Sequence, residues 1–178
     1  MKTYKITKSD IDETGLFIGD INTDKQIDGH LVIEAGLGSV RFYNSLRVRG
    51  AIRVDAGSGI AASGDIIAGF GIKAGWSIIA GGDITAGWGI AAGRDITAGG
   101  GIIAGWGITA GSGITAGRGI KAGLSIAAST VSAGMRIFAG TTADRLPAPE
   151  DMQIRALVES GEVCFGEVVA PAPEGGRR

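Results

Sequence analysis

Several things are scarce in this chain, and each scarcity narrows the field. There is one cysteine, Cys164, so no intramolecular disulfide can brace the fold. A reducing compartment is compatible with that. Its neighbours Val163 and Phe165 suggest a small buried hydrophobe, and no basic residue adjoins it to activate a thiolate. There is one histidine, His30, so it is the one candidate for an imidazole general base. Charge of one sign is lacking too. Seventeen Lys and Arg against eighteen Asp and Glu leave a net charge of −1, which removes the long-range field expected of a protein that lives on nucleic acid or acidic membranes. The first ten residues, MKTYKITKSD, contain no apolar run, so they do not read as a secretory signal. A cytoplasmic location is expected.

Only one stretch invites a membrane reading. Residues 96–117 are 22 positions without a charge, but eight are glycine. Each glycine costs a helix about 1 kcal/mol relative to alanine. The rhythm of this stretch also continues through its charged flanks at Lys73, Asp83, Asp95, Arg118 and Lys121. It is therefore part of a repeat and not a membrane span.

What is abundant is glycine, with 33 residues, and isoleucine at a fixed interval. From Ile60 to Ile126 an isoleucine falls on every sixth position, and Val48 and Val54 extend that register backward. Alanine stands two positions after each isoleucine, and glycine follows it almost throughout. The unit is Ile-x-Ala-Gly-x-(Gly/Asp/Ser). A period of six fits neither a helical face nor a long plain strand. It fits a three-residue strand, with Ile and Ala inward and x outward, followed by a corner. Glycine at the corner suggests positive φ, and Asp65, Asp83 and Asp95 suggest side chains bonding their own local backbone.

Three units make a triangular coil of 18 residues, and the chain supports that count independently. Phe70, Trp88, Trp106 and Leu124 lie 18 apart, as do Gly64, Gly82 and Gly100. The prediction is an all-β, three-sided parallel β-helix, or β-solenoid, about 25–30 Å long at roughly 4.8 Å per coil. The expected organisation is an N-terminal cap over residues 1–40, a solenoid over 41–140, a C-terminal cap over 141–170 and a disordered tail over 171–178. In the C-terminal cap, Pro149-Glu150-Asp151 opens a helix to about Ser160, and Gly161 stops it. Val163–Val169 then reads as a strand pairing with Tyr4–Thr7. The isoleucine ladder breaks after Ile126, and Ile137 is out of phase.

On these residues the chain resembles the hexapeptide-repeat β-helix superfamily, best known from acyltransferases with left-handed solenoids. The resemblance covers roughly residues 42–140 and implies a left-handed winding. One feature departs from it. In that superfamily the small inward residue usually precedes the large one and the glycine follows the large one, whereas here the order is Ile-x-Ala-Gly. A looser likeness to polymer-forming bacterial cytoskeletal solenoids, with their short G-D-I steps, implies the opposite hand.

The superfamily's general base is a histidine on a loop between coils. His30 stands before the regular ladder, and the ladder has no inserted loop, so His30 reads as a polar cap residue. No catalytic, cofactor-binding or metal-binding residue is predicted. Stacked by 18, the outward positions form no two-rank threonine grid, which disfavours ice binding. The remaining feature is the corner column Phe70/Trp88/Trp106/Leu124, with Trp76 and Arg94 on the next corner. These six are the candidate partner-binding residues, since aromatic and Arg side chains anchor interfaces. The expectation is a non-catalytic scaffold that binds a protein partner or self-associates through this row, without nucleic acid or membrane. An acyltransferase relative and a filament-forming protein are the alternatives.

Overall fold

The structure is a computed structural model, and it describes residues 1–20, 25–143 and 145–170. It is an all-β parallel solenoid of about eight coils, with about 18 residues per turn. The inward positions are filled by aliphatic side chains: Ile60, Ile66, Ile78, Ile84, Ile96, Ile102, Ile108, Ile114, Ile120 and Ile126 are all completely buried.

Three faces run the length of the stack. The first comprises Lys2–Ile6, Gly29–Ile33, Ile52–Val54, Ile72–Ala74, Ile90–Ala92, Ile108–Ala110, the start of Ile126–Phe138, the start of Gln153–Phe165 and finally Glu167–Val169. The second runs from Gly38–Phe42 through Ser58–Ala62, Ile78–Ala80, Ile96–Ala98 and Gly113–Ala116 to the middle of the two long strands. The third runs from Leu46–Val48 through Ile66–Ala68, Ile84–Ala86, Ile102–Ala104 and Ile120–Ala122 to their ends. Within the regular region isoleucine pairs with isoleucine and alanine with alanine, as in Ile84↔Ile102 and Ala86↔Ala104. Eight steps of about 4.8 Å make a rod of about 40 Å, longer than the repeat alone suggested.

The repeat continues into both expected caps, and the coil length is what changes. Leu46 pairs with Ile66 and Ile52 with Ile72. Val48 and Val54 therefore occupy the alanine position, not the isoleucine position. The lower coils carry two extra residues at the corner around Ala56-Gly57, where Gly57 takes φ +74°. At the other end the ladder does not break after Ile126. Ile120 pairs with Ile137, and Val131 and Ile137 are fully buried. A one-residue slip, taken up by a shift in register, restores the phase.

No α-helix forms over 149–160. A single 3-10 turn, Pro149–Met152, leads into the strand Gln153–Phe165. The acidic residues there serve the turn: Asp151 accepts the Ala148 N–H at 2.9 Å and pairs with Arg145 at 2.6 Å. Beyond it, Gln-Ile-Arg-Ala alternates, and Ile154 and Ala156 are buried on the core. That period of two outweighs the helix-start signal. Gly161 does not end an element but kinks the strand at φ +103°. Tyr4 pairs with Leu31, at the opposite end of the rod from Val163 and Val168, which lie over Ile137 and Ile154. Cys164 falls where the ladder slips between Val163 and Phe165, and it is exposed, not buried. The expected tail from Pro171 lies outside the described residues. No helix among the described residues is long and apolar enough to cross a membrane.

The corner chemistry also differs from expectation. The glycines of the regular repeat do not take positive φ. Those that follow alanine are needed because the preceding coil passes too close for a side chain. A Cβ on Gly105 would lie 2.1 Å from the Gly87 carbonyl oxygen. The aspartates bond the following coil and not their own backbone. Asp65 Oδ1 accepts the Asp83 N–H at 3.0 Å, and Asp83 Oδ1 accepts the Gly101 N–H at 2.6 Å. Asp95 Oδ1 likewise accepts the Gly113 N–H at 3.0 Å. Gly100 is favoured for a different reason, since its Cβ would meet not backbone but the Asp83 side chain, with Oδ1 at 2.1 Å. Carboxylate and glycine thus form one interlocking device that links successive coils.

Candidate interaction ridge

The corner between the third and first faces carries the aromatic column. Each rung is fixed by a backbone bond to the rung below: Trp88 N–H to the Phe70 carbonyl at 3.4 Å, Trp106 to Trp88 at 3.3 Å, and Leu124 to Trp106 at 3.3 Å. The rings follow the coil spacing. Phe70 and Trp88 stack with centroids 4.9 Å apart and planes 22° from parallel. Trp88 and Trp106 stack at 5.3 Å and 7°.

His30 extends the column downward, lying against Phe70 at 5.9 Å. Its Nδ1 accepts the Ala51 N–H at 3.0 Å, which leaves the neutral ring's proton on Nε2. The imidazole thus pins one coil to the next and serves as a rung. Sequence spacing missed it because His30 is one position off the column, which continues below Phe70 as Gly50 and Gly29; its ring reaches Phe70 across the space that Gly50 leaves empty.

The upper end is partly roofed by the chain itself. Gly140 N–H bonds the Leu124 carbonyl at 3.0 Å, and Thr142 N–H bonds that of Gly123 at 2.9 Å. Leu124 is half-buried there, beside Arg145. Trp88 and Trp106 stay 48% and 50% exposed. Both faces of Trp88 are occupied by neighbouring rings, so the ridge offers ring edges outward and no free platform on Trp88 for a base or sugar.

Trp76 and Arg94 sit on a different corner, between the first and second faces. The Arg94 guanidinium lies over the Trp76 ring at 5.5 Å, a cation–π contact. Ser58, one coil below Trp76, is fully buried, donating to the Glu34 carbonyl at 2.7 Å and accepting the Leu37 N–H at 2.8 Å. The six predicted contact residues therefore form two groups, four on one edge of the rod and two on another.

Between these edges, the first face holds a shallow groove of about 390 Å³ against Trp88, lined by Arg53, Lys73, Ala91 and Thr109. Arg53 pairs with Asp55 at 2.7 Å. Lys73 makes no ion pair among the described residues. The groove was not anticipated because it arises from the small side chains at Ala91 and Gly89 beside a large one at Trp88. Comparison with protein-family models, with curated proteins and with solved structures finds no match. Function therefore has to be argued from this geometry.

Proposed function

We propose that the protein is a non-catalytic rigid scaffold that docks an extended segment of a protein partner along the aromatic ridge and the groove beside it. One observation carries this reading: Trp88 and Trp106 are held parallel 5.3 Å apart by separate coils, yet each is half exposed. Large apolar rings cost free energy when left in water. Here they are also already fixed in place, so docking onto them sacrifices little side-chain entropy. Interface hot spots are enriched in tryptophan and arginine. Lys73 and Arg53 in the groove favour a segment that carries a carboxylate next to its apolar side chains. The single exposed thiol suits a reducing, cytoplasmic setting.

The test is affinity capture from extract of the source cells, with wild type and with the double variant Trp88→Ala/Trp106→Ala. A protein held by wild type, lost by the double variant and retained by Ile103→Ala on another face is the expected result. Identical captured sets for wild type and the double variant would remove the ridge from consideration.

A further inference from the structure

The two ends of the rod are finished differently. At the N-terminal end, residues 11–17 fold back across the lower coil, with Ile11 bridging Phe17 and Leu16 bridging Arg41. Ile11 of this segment is buried, as are Ile6 and Ile27, so the aliphatic columns are covered at this end although Met1 and Ile18 stay exposed. At the C-terminal end, each inward column finishes on a valine. Val158 lies over Val131 and Ile114, Val163 over Ile137 and Ile120, and Val168 over Ile154 and Ile126. Lower members of these columns are fully buried. Val158 and Val163 are only partly so, and Val168 is 49% exposed. Leu157 and Phe165 on the same coil are 60% and 45% exposed. The core stops there without a lid among the described residues.

We infer that this end is a homodimer interface, in which the last coil of one molecule stacks tail to tail on the last coil of a second copy. The missing layer is three-sided and must bring aliphatic side chains to three columns at once. Residues 171–178, PAPEGGRR, contain no aliphatic side chain of that size, and two of the eight are proline, which lacks a strand donor. A triangular coil end is the shape that complements another, and the one this chain leaves open is this end. The rim carries both signs, Arg136 and Arg155 with Glu159, Glu162 and Glu167, which lets the same patch pair with itself across a two-fold axis. Because the columns are covered at the other end, association closes at two copies and does not propagate into a filament. Repeated register shifts between the last two coils also deny an endless, straight strand edge.

The single cysteine makes this testable on the whole chain. Cys164 lies on the last coil and is exposed. Light scattering should give twice 17.9 kDa, and a short bis-maleimide should link the two Cys164 side chains into a covalent dimer. Val168→Lys, and separately the exposed Leu157→Asp, should halve the mass while leaving the β circular-dichroism signal intact. A monomer at every concentration, an open series of masses, or a dimer that Cys164 fails to cross-link would each overturn the inference. So would a dimer that survives both substitutions, or one abolished by the ridge variant Trp88→Ala/Trp106→Ala alone.

Discussion

Replacing Gly105 by alanine tests what actually makes glycine necessary in this repeat. The backbone there has ordinary φ, so alanine is conformationally allowed. The obstacle is the neighbouring coil. The new Cβ would sit 2.1 Å from the Gly87 carbonyl oxygen, whereas ordinary contact begins at 3.4 Å, so the coils must part by about 1.3 Å. That opening breaks the Gly105 N–H bond to Ala86, now 3.1 Å, and the Trp106 N–H bond to Trp88, now 3.3 Å. Two such bonds are worth about 1–3 kcal/mol net. Loosening the Trp88–Trp106 stack adds about 0.5–1.5 kcal/mol. Alanine recovers about 0.4–1 kcal/mol by restricting the unfolded chain.

The net loss is about 0.5–4 kcal/mol, centred near 2 kcal/mol, which at that centre is a fall of about 4–8 °C in the thermal midpoint for a chain of this size. Gly89→Ala is the matched control in the next corner position. Its Cβ meets only one atom, the Gly107 carbonyl oxygen at 3.2 Å, which a shift of a few tenths relieves. It should stay within about 1 kcal/mol of wild type. Thermal unfolding followed by circular dichroism reads both variants. If Gly105→Ala melts with wild type, or Gly89→Ala melts as low as Gly105→Ala, close backbone approach is not the reason for glycine here.

Other outcomes follow from the same geometry. Gly100→Ala should be destabilising, but because its clash is with the Asp83 side chain, the cost should shrink in the double variant Asp83→Ala/Gly100→Ala; additive midpoint shifts would contradict the interlock. Asp83→Ala alone leaves the Gly101 N–H without its acceptor and should cost about 1–2 kcal/mol, with Asp83→Asn milder because an amide oxygen remains, as denaturant midpoints would show. Trp88→Ala removes two ring contacts and should cost about 1–3 kcal/mol, while Trp76→Ala, which loses one exposed cation–π contact, should cost under about 1 kcal/mol. Near the N-terminus, the Thr14 hydroxyl and the Leu16 N–H hold the Asp12 carboxyl below its ordinary 3.8. The turn they build is at full strength above that value and is lost as pH falls through the lower, folded one. Amide exchange at Thr14 and Leu16 should therefore accelerate only in strong acid.

The regular coils were legible because each residue reports the same local rule. Isoleucine at every sixth position fixes strand, corner and inward face together, and the 18-residue recurrence of Phe70, Trp88 and Trp106 fixes the number of sides. The ends were not legible. A two-residue insertion near Gly57 and a one-residue slip before Val131 destroy a fixed count without disturbing the stack, since a corner absorbs length while the aliphatic columns keep their contacts. Residues 149–160 show the same override, where stacking Ile154 and Ala156 on an existing coil outweighs a local helix-start signal.

The sequence alone thus determined the repeating storey, and with it the place of Trp88 and Trp106 on one edge. Only the tertiary structure decided how the storeys begin and end, which corner atoms bridge them, that His30 is the first rung, and that the columns are covered at one end while the other stays open. The reason is physical. Periodicity records what every coil shares, whereas ends, bridges and grooves depend on contacts between residues that no fixed interval relates.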